Sequence, residues 1–335
     1  MVQPNSNDRR IYKEEILPWL PKKIIDCHVH IGLEDHSDPI SPERIAESWA
    51  LEIKSDMSWE DLQATYRELL PEQKVSILVF GHPRREVDQI QSNRYVMDKA
   101  LQNKSAAHAL VVTKPEWDAS VIESAMFCGF AGIKPYPDFA PQNLECSIYD
   151  FLPKSHLAML NRLGGVLMLH LPRRGRIADP ENIRELTEIY NDYPNIKMVV
   201  AHIGRAYCLP TAEEGLPPFA DCTRMYFDTA ANLNTDVFQF ALETLGPDRV
   251  LFGTDLPITL MRGVREHVGD KYINFTDGDY SWNKNRKSAE EESEYTYYLY
   301  EELLAIIRAV KSAGMGHEEM EKIVYRNCAR ILGES

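Results

Sequence analysis

The sequence has no apolar stretch of about 18 uncharged residues, the least that a helix crossing a bilayer requires. Its opening, MVQPNSNDRRIYKEEILPWL, carries no apolar run behind its basic residues, so no targeting segment is expected and the cytoplasm is the expected location. Cysteine is sparse: Cys27, Cys128, Cys146, Cys208, Cys222 and Cys328 are scattered, with no CxxC pair. That spacing argues against a zinc ribbon and a disulfide framework and leaves reduced, mostly buried thiols. Bases are outnumbered, 37 Lys and Arg against 51 Asp and Glu, and a formal charge of -14 repels nucleic acid and anionic membranes. A small molecule is the expected partner. No internal repeat, low-complexity tract or linker interrupts the chain, so residues 1–335 read as one domain.

What is present is the composition of an ordinary globular protein, 44% hydrophobic and 26% charged. At 335 residues the fold buries enough surface to stand without a metal or disulfide staple, so any metal is expected to act rather than to hold. Eight short apolar runs recur, each followed by a segment of helical character. They are KIIDCHVH ending at His30, VSILVFG at Gly81, AAHALVVT at Thr113, AGIK at Lys134, GVLMLH at His170, IKMVVAH at His202, MYFDTA at Ala230 and RVLFGTD at Asp255. Runs apolar on both faces suit strands buried in a parallel sheet. The intervening helices have readable ends: Asp179 caps and Pro180 starts PENIRELTEIY, and Gly246 with Pro247 stops the helix before the eighth run. Eight such alternations predict an α/β fold, a (β/α)8 TIM barrel. A doubly wound open sheet is the alternative, but no GxGxxG follows the first strand.

Two segments exceed what a minimal barrel needs. Between Ile31 and Gln73 a loop and two helices, ERIAESWALEI and EDLQATYRELL, are expected as an insertion over the barrel mouth. After strand eight a long polar loop, Pro257 to Glu294, precedes the helix through EYTYYLYEELLAIIRAV, whose tyrosines read as packing residues.

His28 and His30 sit two apart on a strand and share a face, so both side chains are able to grip one ion. By the same alternation Asp26 is expected to face the barrel and to make a structural hydrogen bond. His170, His202 and Asp255 each end a predicted strand, and in a barrel all strand C-termini converge on one mouth. Imidazoles with a carboxylate hold a divalent ion and leave a position for water, whose pKa falls to about 7 on zinc. A remaining histidine then serves as proton carrier. Asp228, ending strand seven, either orients a ligand histidine or caps the next helix.

DCHVH, LMLH, VVAH and LFGTD, in this order on strands one, five, six and eight, resemble the amidohydrolase superfamily. Closer still is the similarity to its aminocarboxymuconate-semialdehyde decarboxylase-like branch, the amidohydrolase-related proteins, and it extends to the terminal helix EEMEKIVYRNCARILG. The resemblance implies that His28, His30 and His170 ligate the metal, with Asp255 a further ligand or the base on its water. It implies that His202 is an acid or base, or a second-metal ligand. Lys134, at the end of strand four, corresponds to a lysine that binuclear members carboxylate, although an ordinary ammonium paired with a carboxylate or touching substrate is the favoured reading. One divalent ion per chain, zinc first, is expected, with a second ion open. A homodimer is the family-level expectation.

The loop after His170 carries Arg173, Arg174 and Arg176, and Arg205 follows His202 by three residues; these guanidiniums suit a substrate carboxylate. Arg84 and Arg85 of HPRRE follow strand two on the mouth side, where His82 is expected behind the ligands or in solvent. The expected function is a metal-dependent hydrolase of a small carboxylated substrate. A non-oxidative decarboxylase of an aromatic or muconate-like acid is the runner-up, and a non-catalytic metal-binding barrel ranks below both.

Overall fold

The computed structural model describes residues 2–47, 49–53, 56–141 and 144–334. Eight strands lie in the order β1 to β8, every neighbouring pair parallel. They are β1 (Lys23–His30), β2 (Lys74–Phe80), β3 (Ala107–Thr113), β4 (Gly132–Pro135), β5 (Val166–Leu169), β6 (Lys197–Val200), β7 (Met225–Asp228) and β8 (Val250–Leu251). The chain beyond β8 hydrogen-bonds back to β1, Cys27 N to Phe252 O at 2.9 Å, Asp255 N to His28 O at 2.8 Å and His30 N to Leu256 O at 2.9 Å. These bonds bring the sheet round into the (β/α)8 barrel that the eight alternations predict. Gly132 is required by close packing in the wall, because a Cβ there would lie 1.9 Å from the Val166 carbonyl oxygen.

Side chains fill the barrel. Ile25, Cys27, Leu78, Phe80, Val112, Met168 and Val199 form an inner cluster with Cys328, Ala329 and Ile331 of the terminal helix Asn327–Leu332. A larger cluster, including Ile24, Val29, Leu62 and Tyr66, packs the strands' outer faces against the helices. Helix ends follow the local code: Asp179 accepts from the N–H groups of Glu181 and Asn182, with Pro180 at the first helical position. Gly246 (φ +80°) ends the helix Thr235–Leu245. Among the described residues no helix is long and apolar enough to cross a membrane.

Three local expectations are corrected. The β1–β2 register slips between Asp26 and Val29, so three steps on β1 match two on β2. This bulge keeps both Cys27 and His28 inside and turns Asp26 outward, where it accepts from Tyr66 Oη (2.7 Å) and from Thr254 N (2.9 Å) and Oγ1 (2.5 Å). Of the two inserted helices, EDLQATYRELL forms the helix Trp59–Leu69, capped by Ser58, but it packs into the outer core as the return to β2 and does not cover the mouth. The segment before it forms a helix Pro42–Glu47 and a separate 3-10 turn Trp49–Glu52, with Ser48 outside the described residues. Helices this short need tertiary support, and here Arg44 is tied to Glu86 and Asp138 across the mouth. The polar loop after β8 contains an antiparallel hairpin, β9 (Gly263–Val268) and β10 (Lys271–Thr276), turning at Gly269 with φ +61°.

Candidate active site

A cavity of about 250 Å³ opens at the C-terminal ends of the strands, with His28, His30, His170, His202 and Asp255 in its wall. All five are buried. Two of them sit on backbone that L-residues rarely adopt, His202 at φ 58° and Asp255 at φ 60°, and such strain gathers where a side chain must be aimed. Gly253 makes room for the arrangement, since a Cβ there would lie 2.7 Å from the Cβ of His28.

The hydrogen bonds fix which ring nitrogens face the cavity. His30 Nδ1 donates to Gly81 O (3.1 Å) and His202 Nδ1 to Ala230 O (2.8 Å), because a carbonyl only accepts. His28 Nδ1 lies 2.9 Å from Asp228 Oδ2, and the other Asp228 oxygen accepts from His202 N at 2.7 Å. Asp228 thus orients two histidines at once, the ligand-orienting role among the two readings of it. Each of the three imidazoles is left with a bare Nε2.

His28 Nε2 and His30 Nε2 lie 3.6 and 3.1 Å from Asp255 Oδ1. Lone pairs facing one another at that range repel unless a proton or a metal ion lies between. Burial, joined by the field of Lys134, holds the His28 pKa well below its ordinary value, which disfavours the proton. Burial opposes the charge of Asp255, and a cation between it and the two rings would favour that charge. Two ligands each about 2.1 Å from a tetrahedral ion stand about 3.4 Å apart, between the two observed separations. The residues therefore fit a divalent cation. His28, His30 and Asp255 form one group with ligand atoms within 4.8 Å of one another, and His28, His202 and Asp228 form another.

His170 belongs to neither group. Its ring centroid is 5.3 Å from that of His202 and 4.5 Å from that of Tyr136, and its Nδ1 is buried without a hydrogen-bond partner. Lys134 is fully buried and does not line the cavity; its ammonium lies 5.0 Å from the Phe80 ring centroid, and burial lowers its pKa to about 8 against the fields of Asp228 and Asp255. Of the four arginines expected near substrate, Arg176 and Arg205 line the cavity. Arg205 Nη1 donates to the carbonyls of Leu171 (3.0 Å) and Arg173 (3.2 Å). Arg173 faces Asp179 at 3.8 Å, and Arg174, with a side chain 94% exposed, faces Glu145 at 3.5 Å.

The structure brings His82 from behind the ligands to the cavity wall and adds residues that spacing did not reveal. His82 stacks on His30, ring centroids 5.0 Å apart, and lines the cavity. Tyr136, two residues beyond Lys134, was within reach of strand parity. Tyr207 and Arg265 were not, because the hairpin has to fold before Arg265 reaches the cavity. Asn274 Oδ1 (2.8 Å) and Ala231 O (2.7 Å) hold that guanidinium 4.6 Å from the Tyr272 ring centroid. The Gly269–Asp270 turn was its one legible signal.

The barrel and the buried histidine–aspartate centre at its mouth define the class, a (β/α)8 barrel whose mouth carries residues able to hold a cation. Residues 25–333 match the Amidohydro_2 amidohydrolase family, and the chain is an enzyme of that family. No curated protein matches it in sequence. Among solved structures it is similar to a protein from Acinetobacter baumannii assigned as a 2-pyrone-4,6-dicarboxylic acid hydrolase, with citric acid bound (14% identity, TM-score 0.57, 92% of this chain and 99% of that one). It is likewise similar to 5-carboxyvanillate decarboxylase from Novosphingobium aromaticivorans, complexed with manganese (13% identity, TM-score 0.56, 93% and 96%). A third is 2,6-dihydroxybenzoate decarboxylase from Rhizobium (14% identity, TM-score 0.55, 93% and 99%). At these identities the likeness is one of fold.

Proposed function

We propose that this enzyme is a metal-dependent hydrolase of a small carboxylated substrate, with His28, His30 and Asp255 as the group that holds one divalent ion, zinc first among the candidates, and His170, which stands outside that group, as a further ligand once the ion is bound. The observation that carries the reading is the convergence of two bare Nε2 atoms on the charged Asp255 Oδ1 at 3.6 and 3.1 Å. A divalent ion bound there supplies Lewis-acid polarisation of the scissile group and lowers the pKa of water. Burial keeps His202 neutral, and its proton is fixed on Nδ1. His202 Nε2 therefore accepts a proton from the attacking water and returns it to the leaving group, with the Asp255 carboxylate as the alternative acceptor. Arg176 and Arg205 bind the substrate carboxylate at the cavity wall. Lys134 offsets, from below, the charges of Asp228 and Asp255.

Non-oxidative decarboxylation on the same residues is the second reading, favoured by the two decarboxylases that share the fold. It requires one proton at the carbon that loses CO2, which His202 Nε2 is placed to relay. A screen of lactones, amides and aromatic or muconate-like acids, read by mass spectrometry, separates gain of water from loss of CO2. With an active substrate in hand, His202→Asn and Asp255→Asn should each lower kcat by ~10²-fold or more. Near wild-type kcat in both variants would place the chemistry elsewhere.

A further inference from the structure

The cavity carries more positive charge than one substrate carboxylate needs. Five arginines (Arg44, Arg84, Arg176, Arg205, Arg265) and two aspartates (Asp138, Asp255) line it, in a chain of formal charge -14. Arg44 is neutralised by Glu86 and Asp138, and Arg85 also takes Asp138. Arg84 sits beside these groups, in the field of Glu86 and Asp138 but without a direct bond to either. Its Nε is buried with no hydrogen-bond partner, and among the described residues no carboxylate oxygen lies within 4.0 Å of its guanidinium nitrogens. Glu86 and Asp138 reach this largely desolvated guanidinium only through their longer-range field, so an anion entering from the cavity would supply the direct partner that its Nε lacks.

Position separates this group from the other arginines. Arg84 follows β2 and Arg205 follows β6, four strands apart in a ring of eight, so they face each other across the mouth. Arg176 and Arg265 stand apart from Arg84 as well, after β5 and in the hairpin beyond β8. We propose that Arg84 forms a second anion subsite opposite Arg205, and that the natural substrate is a dianion with one acidic group at each side of the mouth and its reacting bond between them. The inference rests on the carboxylated-substrate reading and extends it to a second acidic group. A guanidinium fork fits carboxylate and phosphoryl oxygens alike, so the distal group is defined as either of these.

The test is equilibrium binding, which needs no turnover. The protein as purified is titrated by calorimetry with benzoate, isophthalate, terephthalate, 3-phosphonobenzoate and dimethyl isophthalate. The quantity read is the ratio of the benzoate Kd to that of the tightest dianion. In the wild type a ratio of roughly 10 to 150 is expected for one added charge-assisted fork. In Arg84→Met it should collapse to near unity, and in Arg84→Lys, which keeps the charge without the fork, it should recover in part. Whichever of isophthalate and 3-phosphonobenzoate binds tighter identifies the distal group as carboxylate or phosphoryl. A wild-type ratio near unity, or an undiminished ratio in a folded Arg84→Met variant, overturns the second subsite while the single-carboxylate reading stands. Failure of every acid to bind, or an ester that binds as well as the acids, overturns both. Should Arg84→Met not fold, the wild-type ratio and the Arg84→Lys ratio decide: an unchanged ratio in the lysine variant refutes the fork.

Discussion

Replacing Asp228 by asparagine alters one atom and should weaken metal binding without unfolding the protein. One carboxylate oxygen accepts from His202 N (2.7 Å) and Ala230 N (3.2 Å), and an asparagine carbonyl oxygen keeps both bonds. The other oxygen, 2.9 Å from His28 Nδ1, then becomes an amide NH2 that only donates. Two donors face each other unless His28 moves its proton from Nδ1 to Nε2. That proton would point an N–H at Asp255 Oδ1, where a lone pair is needed for the ion. Losing such an orienting partner typically costs 10- to 100-fold in metal affinity, about 1.4–2.7 kcal/mol. Zinc affinity is read by competition with a chromophoric chelator, and circular dichroism establishes that the variant is folded. Wild-type affinity in a folded Asp228→Asn protein would refute the argument that this carboxylate fixes the His28 tautomer.

Protein purified without chelator should carry near-stoichiometric divalent metal by elemental analysis, lost in a folded His28→Ala/His30→Ala double variant; a metal-free wild type with full activity would count decisively against the cation site. Arg205→Met should reduce kcat/KM on a carboxylate substrate roughly 10- to 150-fold while sparing its methyl ester. Arg174→Met, on an exposed side chain, should change neither, and equal effects on acid and ester would remove Arg205 from substrate binding. Glu302 is buried, accepts from Thr229 Oγ1 at 2.8 Å and leaves Oε2 unpartnered, and burial raises its pKa well above the ordinary value. A raised folded pKa means stability that is full below the unfolded pKa, near 4.3, and lost as pH rises through the folded value. Glu302→Gln removes this titration, so its melting temperature should fall less than that of the wild type as pH rises above the unfolded value near 4.3; parallel declines would show that the folded-state pKa of Glu302 is not raised.

The barrel and most of its mouth are legible in the sequence because they are written locally. Apolar runs define strands, Asp179–Pro180 and Gly246 end helices through their own backbones, and any residue ending a parallel strand faces the one mouth. His28, His30, His202 and Asp255 are therefore found together without knowledge of a single contact. What the local pattern does not contain is anything that depends on a neighbour far along the chain. Strict alternation sends Asp26 inward, but the bulge that pairs β1 with β2 turns it to Tyr66 and Thr254. His170 ends its strand as expected, yet the distances among the rings leave it outside both ligand groups. Arg173, Arg174 and Arg176 are near-equivalent in sequence, and only the packing of their loop sends one to the cavity and another to solvent. Arg265 reaches the site on a hairpin, its guanidinium held by Asn274 of the paired strand and by the carbonyl of Ala231, and His28 receives its orientation from Asp228, 200 residues away. Strand and helix follow from side-chain period and capping, whereas tautomers, ligand distances and the unpartnered Nε of Arg84 are set by which side chains tertiary packing brings within about 4 Å of one another.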